Sequence, residues 1–390
     1  MFLTYKYRLL PSKRQHAALA AILEAQRVFY NAALQERIDC YRKTGKGRSY
    51  MDQCCALTEC RRDLPEMAAL PANLQRWTLK RLADAFSGFF RRVKCGEKPG
   101  FPRFRGKGWW SSFGFNEFSG IQFDGKRLRF GGLSSGLRVH LHRPLPDGAD
   151  IRSCVFHRDG RGWYVCFQIA VVASEKRVVE RAVGIDLGLK VFAYQSDGVV
   201  IPAPKIARRA EREMRIRQRA LARCKRGSKR RLKVKVRLVR AHADIVNART
   251  TWLHQQSARI ANSYDLIAVE DLNVRGMVRN RCLARSISDA AWSRFLGFLA
   301  YKAEKAGGYL IRVNPRNTSQ KCSNCGELVP KSLAVRTHAC PHCGLVIDRD
   351  WNAAKNILKA EVGLGARNVA ECRKRAPRNI PKALVMGPEV

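Results

Sequence analysis

Four cysteines, Cys322, Cys325, Cys340 and Cys343, stand in a C-x2-C-x14-C-x2-C array, and five residues after the last of them the chain reads DRDWNAA, residues 348–354. Paired Cys-x-x-Cys knuckles at this separation suit a four-thiolate zinc site, tetrahedral and closed, with no coordination position left for a substrate. Gly326 and Gly344 directly follow the knuckles and suit the tight turns around a metal. His338 and His342 also lie inside the array, but four thiolates already complete the set. Zinc held this way is structural. The acids beside it suggest something that cuts.

Three acidic positions share a setting, each at the end of an apolar strand or the start of a helix. Asp186 ends AVGID and is followed by Gly188, Glu270 ends LIAVE, and Asp348 and Asp350 open the helical stretch WNAAKNIL. Hydrolysis of a phosphodiester requires charge to be neutralised on both the attacking and the leaving oxygen. Two divalent cations about 3.5–4 Å apart, held by a few carboxylates on a rigid sheet, can do this. Mg²⁺ accepts oxygen ligands and keeps several waters, so three carboxylates and a substrate phosphate suffice. Singly, each acid has a plainer explanation. An Asp near a Gly belongs to turns, and an Asp at a helix start is more often a cap than a catalyst. A Glu closing a buried strand is harder to dismiss, because burying an unpartnered charge is costly.

The whole chain points to a polyanionic partner. Its 390 residues carry 74 Lys plus Arg against 32 Asp plus Glu, a net charge of +42 and a pI near 10.5. With 46% hydrophobic residues it is long and apolar enough for two or more domains with real cores. Nucleic acid is the partner such a footprint fits. An anionic membrane surface would call for a concentrated basic amphipathic segment or a lipid anchor, and neither is evident. No apolar run reaches the ~20 residues of a membrane span, and MFLTYKYRLL reads as an alternating strand and not as a signal peptide. Of the 14 cysteines only four have ligand spacing. The scattered remainder read as reduced thiols, several of them in the core, so a cytoplasmic location is expected.

Several elements must position these residues. After the strand over 1–10, apolar residues at helical spacing predict a helix from Ser12, with Leu19, Ile22, Leu23, Val28, Tyr30 and Leu34 facing a partner. A second helix is expected over 70–93, its stripe of Leu79, Leu82, Ala83, Phe86, Phe89 and Phe90 best explained as core. KPGFPRFRGKGWW, residues 98–110, is a broken loop that interleaves basic and aromatic side chains. It could stack on bases while Arg103, Arg105 and Lys107 hold phosphates, or its aromatics could equally anchor it to a neighbouring sheet. Residues 112–172 read as hairpins with turns at Asp124-Gly125 and Asp159-Gly160, which predicts a small barrel. A new module begins at AVGID. It continues into two basic helical arms that turn at Gly227-Ser228, the strand DLIAVEDL, the helix DAAWSRFLGFLAYKAEKAGG and the strand YLIRVN. The last 25 or so residues mix Arg, Pro and Gly without periodicity and read as a loose tail. So many uncompensated charges on the arms favour phosphate contact, and we single out Arg208, Arg212, Arg215, Arg219, Arg223, Lys229, Arg230, Lys233 and Arg237.

GIDLGLKVFA, VEDLNV, SISDAAW, NPRNTSQKCSNCG, CPHCG and DRDWNAAKNI, in that order, resemble the C-terminal half of the TnpB proteins of bacterial insertion sequences. YKYRLLPSKRQ resembles their N-terminal opening and PGFPRFRGKGWWSSFGF their central loop, so the resemblance spans roughly residues 1–360. It implies a compact relative of the type V CRISPR effectors, an RNA-guided DNA endonuclease. The fold it implies is an α/β nuclease core, RuvC-like and of RNase H fold, with an inserted zinc ribbon, a small wedge-like β-barrel and a helical recognition lobe. The barrel would take 1–10 and 108–178, the helical lobe 11–107, the nuclease 179–320 and 345–362 with its basic hairpin over 203–260, the ribbon 321–344 and the tail 363–390. By motif the catalytic and magnesium-binding acids fall on Asp186, Glu270 and Asp350, and the zinc ligands on Cys322, Cys325, Cys340 and Cys343. Asp348 and Asp271 rank as supporting residues, and Trp351 is larger than the small aliphatic residue the family often carries there. The resemblance further implies two Mg²⁺ ions (or Mn²⁺), one structural Zn²⁺, a guide RNA transcribed from the element's end, a double-stranded DNA target cut in both strands, and a monomer on one RNA. Two other classes stay open: a guide-dependent DNA-binding repressor without cleavage, and a transposase acting without RNA. Indifference to loss of Asp186 would mark the first, and indifference to RNase the second.

Overall fold

The computed structural model describes residues 1–172, 174–332 and 334–360. The tail expected over 363–390 lies outside the described residues. The chain divides into two compact units after Val172.

The first unit opens with β1 (Phe2–Leu10), whose Leu3, Tyr5, Tyr7 and Leu9 are buried and whose alternate residues are exposed, the period of a half-buried strand. Four helices follow: α1 (Lys13–Thr44), α2 (Tyr50–Asp63), α3 (Pro65–Ala68) and α4 (Ala72–Lys94). Then come β2 (Ser112–Phe115), β3 (Ile121–Phe123), β4 (Arg127–Phe130), β5 (Leu137–His140), β6 (Asp150–Asp159) and β7 (Gly162–Ala170). The seven strands make one antiparallel sheet in the order β2-β6-β7-β1-β5-β4-β3. Phe113 and Phe115 of β2 nevertheless meet Phe130 of β4, with ring centroids 6.3 and 5.4 Å apart, although four strands separate them in the sheet. The sheet is therefore rolled over an aromatic core into a half-barrel. Capping boxes start α1 and α2, Ser12 with Gln15 and Ser49 with Asp52, and Gly45 in a left-handed conformation ends α1.

Some expectations need correction here. The first helix, whose helical pattern reads from Lys13 to Ile38, runs on to Thr44, and α2 and α3 lie in a stretch for which no separate element is expected, although Ser49-x-x-Asp52 is a legible start signal. Val28 and Phe90, assigned to apolar faces, are exposed: Val28 lies on the side of α1 opposite its buried residues, and Phe90 at the edge of the stripe of α4.

The second unit carries β8 (Ala182–Leu187), β9 (Val191–Gln195), β10 (Val200–Pro202), α5 (Ile206–Ala222), α6 (Lys229–Ser263), β11 (Leu266–Glu270), α7 (Val274–Met277), α8 (Ala284–Ala290), α9 (Trp292–Lys305), β12 (Tyr309–Val313), β13 (Thr337–Ala339) and β14 (Val346–Asp348). A further helix, α10, covers 349–360. The main sheet has the order β10-β9-β8-β11-β12. Its first three strands are antiparallel, and β8, β11 and β12 run parallel. One face is covered by α6 and α9 through Leu253, Ile260, Phe295 and Leu299, packed on Val183, Ile185, Ile267 and Val269. The other face receives α10, whose Ile357 packs with Ala268 and Val313. The single helix expected from DAAW onward is broken at Ala291, where φ is 54°, so α8 and α9 are separate.

Candidate active site and zinc ribbon

Two strand ends supply two of the acids. β8 and β11 pair in parallel with Val269 opposite Ile185, which sets Glu270 level with Asp186 at the carboxyl ends of neighbouring strands. Side chains alternate along a strand, so Ile185 and Val269 enter the core while Gly184, Asp186, Ala268 and Glu270 face α10. Both strands thus read small–apolar–acid, G-I-D and A-V-E. The small residues admit the helix. A Cβ on Gly184 would stand 2.2 Å from the Ala354 carbonyl oxygen and 2.7 Å from the Leu358 nitrogen, so α10 lies directly on the backbone of β8.

That contact brings the third acid in. Two residues along β8 from Gly184 is roughly 6.6 Å, and four residues back along α10 from Ala354 is about 6 Å, so Asp186 and Asp350 arrive together. Asp348 and Asp350 divide the labour at the helix start. Asp348 accepts from the backbone N–H of Asp350 at 2.8 Å and of Trp351 at 3.4 Å, which is the work of an N-cap. Asp350 is left with its carboxylate 3.3 Å from Arg349 and 3.5 Å from Arg336. Asp271, beyond the strand end, is exposed and paired with Arg312 at 3.1 Å. Trp351 is accommodated by Gly198: its ring lies on that glycine, its Nε1 donates to the Ser196 carbonyl at 3.1 Å, and Lys355 stacks on it.

The electrostatics are those of crowded, buried carboxylates. Burial pushes Asp186 well above the usual carboxylate range; Glu270 and Asp350 push it further, and Arg349 only partly opposes them. Glu270, 8% exposed, is likewise raised by burial, opposed by the Thr318 hydroxyl that donates to it at 2.5 Å. Among the described residues neither Asp186 nor Glu270 has an ion pair with a lysine or arginine. Two neighbouring carboxylates, neither directly paired with a cation, beside a third that Arg336 and Arg349 partly neutralise, are a donor set that a divalent cation fits.

The four cysteines converge. Their sulfurs all lie within 4.8 Å of one another, with Cys322–Cys343 at 3.6 Å and Cys325–Cys340 at 3.5 Å. A tetrahedral site with Zn–S near 2.3 Å needs sulfurs about 3.8 Å apart, so the thiols fit zinc. The knuckle turns are closed by Gly326 and Gly344 at φ 87° and 71°, and the backbone N–H of Leu345 helps hold Cys343 down to about 6. Among the described residues no other group of three or more His, Cys, Asp or Glu side chains is gathered this closely, and the three acids stand further apart. His338 is buried against Lys331, apart from the sulfurs.

Ribbon and helix are tied by two asparagines. Asn352 accepts from the Ser323 N–H at 2.8 Å and donates to the Lys321 carbonyl at 2.7 Å. Asn356 donates to the carbonyls of Thr318 and Lys321 at 2.8 and 2.6 Å. In WNAAKNIL, then, the asparagines grip the segment entering the first knuckle, while Ala353, Ala354 and Ile357 are fully buried. Thr318 and these asparagines were not anticipated. Buried polar residues inside a helical run were the available signal for Asn352 and Asn356, and none existed for Thr318.

The basic residues are placed less uniformly. Arg208, Arg212, Arg215, Arg219 and Arg223 on and just beyond α5, and Lys229, Arg230, Lys233 and Arg237 on α6, are all exposed, with Arg215 paired to Glu211 at 2.9 Å. In the loop of the first unit Arg103 and Lys107 are exposed, whereas Arg105 is half-buried and its backbone is held by Asn31 and Arg27. Both readings of that loop have support. Phe101 packs edge-on against Phe86 and Phe89, and Trp110 is buried on Tyr30, whereas Phe104 and Trp109 face solvent.

Comparison with known proteins finds matches along much of the chain. Family profiles match residues 292–357 ("Cas12f1-like, TNB domain"), 165–281 ("Probable transposase") and 1–46 ("Helix-turn-helix domain"), the last of which here covers one strand and one long helix. A "Putative RNA-guided DNA endonuclease" of Streptomyces pristinaespiralis is 32% identical over 370 residues, 93% of this chain and 90% of the relative. InsQ of Escherichia coli (strain K12), described in the same words, is 26% identical over 91% of both chains. Among solved structures, a Cas12f1–sgRNA–target DNA complex superposes with a TM-score of 0.57 at 14% identity, over 89% of this chain and 83% of that one, a likeness of fold.

Proposed function

The chain belongs to the TnpB family, and from that premise we propose that it is an RNA-guided DNA endonuclease of an insertion sequence, cutting both strands at one metal-dependent site formed by Asp186, Glu270 and Asp350. The observation that carries this is the pairing of G-I-D with A-V-E: a half-buried and a buried acid at neighbouring parallel strand ends, with the helix bearing Asp350 docked on Gly184, two residues before Asp186. We read the five-stranded sheet, antiparallel at one side and parallel at the other, as a RuvC-like core of RNase H type.

In this reading Asp186, Glu270 and Asp350 would hold two Mg²⁺ ions, which supply an ionised water nucleophile and neutralise the leaving oxygen. The chain's own work is to keep the site shaped. The close packing of α10 on Gly184 and Ala268 closes the sheet side of the site, Asp348 secures the start of α10, and the knuckles, with zinc bound, would hold the segment that Asn352 and Asn356 grip. Arg336 and Arg349, now on Asp350, are poised to meet a phosphate. Sequence specificity would come from guide–target pairing, with the exposed cations of α5 and α6 gripping the backbone of the duplex. One site per chain favours a monomer on one RNA.

The test is cleavage by protein co-expressed with its native flanking DNA and purified with its RNA, given Mg²⁺ and a matching duplex beside a randomised flank. Cutting is expected to require RNA, the flank and Asp186, with Asp186→Ala at background. RNA-independent cutting, or binding with no cleavage by either protein, would refute the reading.

A further inference from the structure

Thr318 and Glu270 are 48 residues apart in sequence, yet the Thr318 hydroxyl donates to Glu270 Oε1 at 2.5 Å, and both residues are almost fully buried. That hydroxyl has one proton and two acceptors in reach, the other being the Pro315 carbonyl at 3.1 Å. The shorter contact, to a carboxylate, takes it. A carboxylate fixed through one oxygen can no longer rotate freely, and its second oxygen keeps a constant direction.

Thr318 is itself anchored through its backbone. Its carbonyl accepts from Asn356, and the next residues turn back on Asn317, whose carbonyl accepts from Gln320 N–H at 3.1 Å and Lys321 N–H at 2.9 Å. Lys321 then accepts from both asparagines of α10, and Ser323 donates to Asn352. Cys322, the first zinc ligand, lies between those two anchored residues. A chain of hydrogen bonds, buried at Ser323, Thr318 and Glu270 and partly buried at Lys321, therefore runs from the first knuckle through α10 to the Glu270 carboxylate.

We propose that Thr318 is a positioning residue for Glu270, holding one carboxylate oxygen so that the other is presented to a divalent cation, and that the ribbon entry sets Thr318 through Asn352 and Asn356. This rests on the metal-dependent reading of the site. It also gives the ribbon's place in the sequence, immediately before α10, a purpose at the level of single atoms: the same asparagines that seat the ribbon register the loop that aims Glu270.

The test uses Mn²⁺ as the probe and reads its binding by electron paramagnetic resonance on the full chain with its RNA, independently of cleavage. Thr318→Val keeps the shape and removes the hydroxyl, and is expected to weaken Mn²⁺ binding roughly tenfold. Thr318→Ser keeps the donor and should stay within about threefold of the parent protein. Asn356→Leu should weaken binding in the same direction while zinc content is unchanged. Wild-type Mn²⁺ binding by Thr318→Val, or Thr318→Ser as weak as Thr318→Val, would overturn the proposal. If Thr318→Val does not fold, the Ser and Asn356 arms decide it. Asp186→Ala separates the two levels of inference. If it binds Mn²⁺ like the parent, the metal-site reading falls and this proposal with it. If it loses Mn²⁺ while Thr318→Val does not, only this proposal falls.

Discussion

Two aspartates two residues apart, Asp348 and Asp350, do different work, and the difference is one of geometry. Asp348 spends its carboxylate on the free N–H groups of the first turn of α10, whereas Asp350 turns its own to Arg336 and Arg349 and, in the proposed reading, to the metal. Spacing alone could not tell cap from ligand; the family resemblance made that choice, and the hydrogen bonds show Asp348 as the cap. Asp186 carries a measurable consequence. Its pKa is raised in the folded protein, chiefly by burial. The sign follows from linkage. An acid with a raised folded pKa favours folding below its unfolded value, near 3.9, and that advantage is lost as pH rises through the folded pKa. Asp186→Asn should therefore raise the Tm of the metal-free protein at neutral pH, by about 2–4 °C for each ~1 kcal/mol relieved, and the gain should vanish near pH 4. Thermal unfolding of both proteins across pH in chelator checks this. An equal Tm at pH 7 would mean that Asp186 is not desolvated.

At the scale of elements, the site depends on α10 lying directly against β8. Gly184 makes that possible, and its role was readable in principle: in a strand that must accept both an apolar core and a helix, a small residue two places before an acid marks the helix side. Gly184→Ala would drive a methyl into the Ala354 carbonyl, which is backbone and cannot swing away. We expect a loss of about 1–3 kcal/mol in stability by urea unfolding together with reduced cleavage. Gly47→Ala, where a Cβ meets nothing within 4 Å, should change neither. A wild-type unfolding midpoint for Gly184→Ala would show that helix and strand are not so tightly apposed. Element boundaries were less legible. The continuous apolar period from Asp289 onward hides the break at Ala291, because a single left-handed residue leaves the pattern on either side intact.

For the whole molecule, a net charge of +42 makes polyanion binding the expected state. The α5–α6 arms concentrate this charge with few acids to offset it, and the cations singled out there are exposed. Replacing Arg212, Arg219 and Lys233 by Glu should weaken RNA binding severalfold at about 0.15 M salt and flatten the dependence of log K on log salt. Each lost phosphate contact should lower the slope by about 0.7 for single strands. Fluorescence anisotropy across a salt series measures both, and an unchanged slope would remove the arms from the interface.

The sequence by itself determined the partner class, the zinc array, the strand ends carrying Asp186 and Glu270, and the family. Each of these is written in local residue type and spacing, where charge, thiol pairing and hydrophobic period act over a few residues. Only the tertiary structure decided which aspartate caps α10 and which meets Arg336 and Arg349, which loop aromatics are anchors, and that Thr318 reaches Glu270 across 48 residues. Those outcomes depend on which surfaces pack together. Packing is a property of elements distant in the chain, and no local pattern records it.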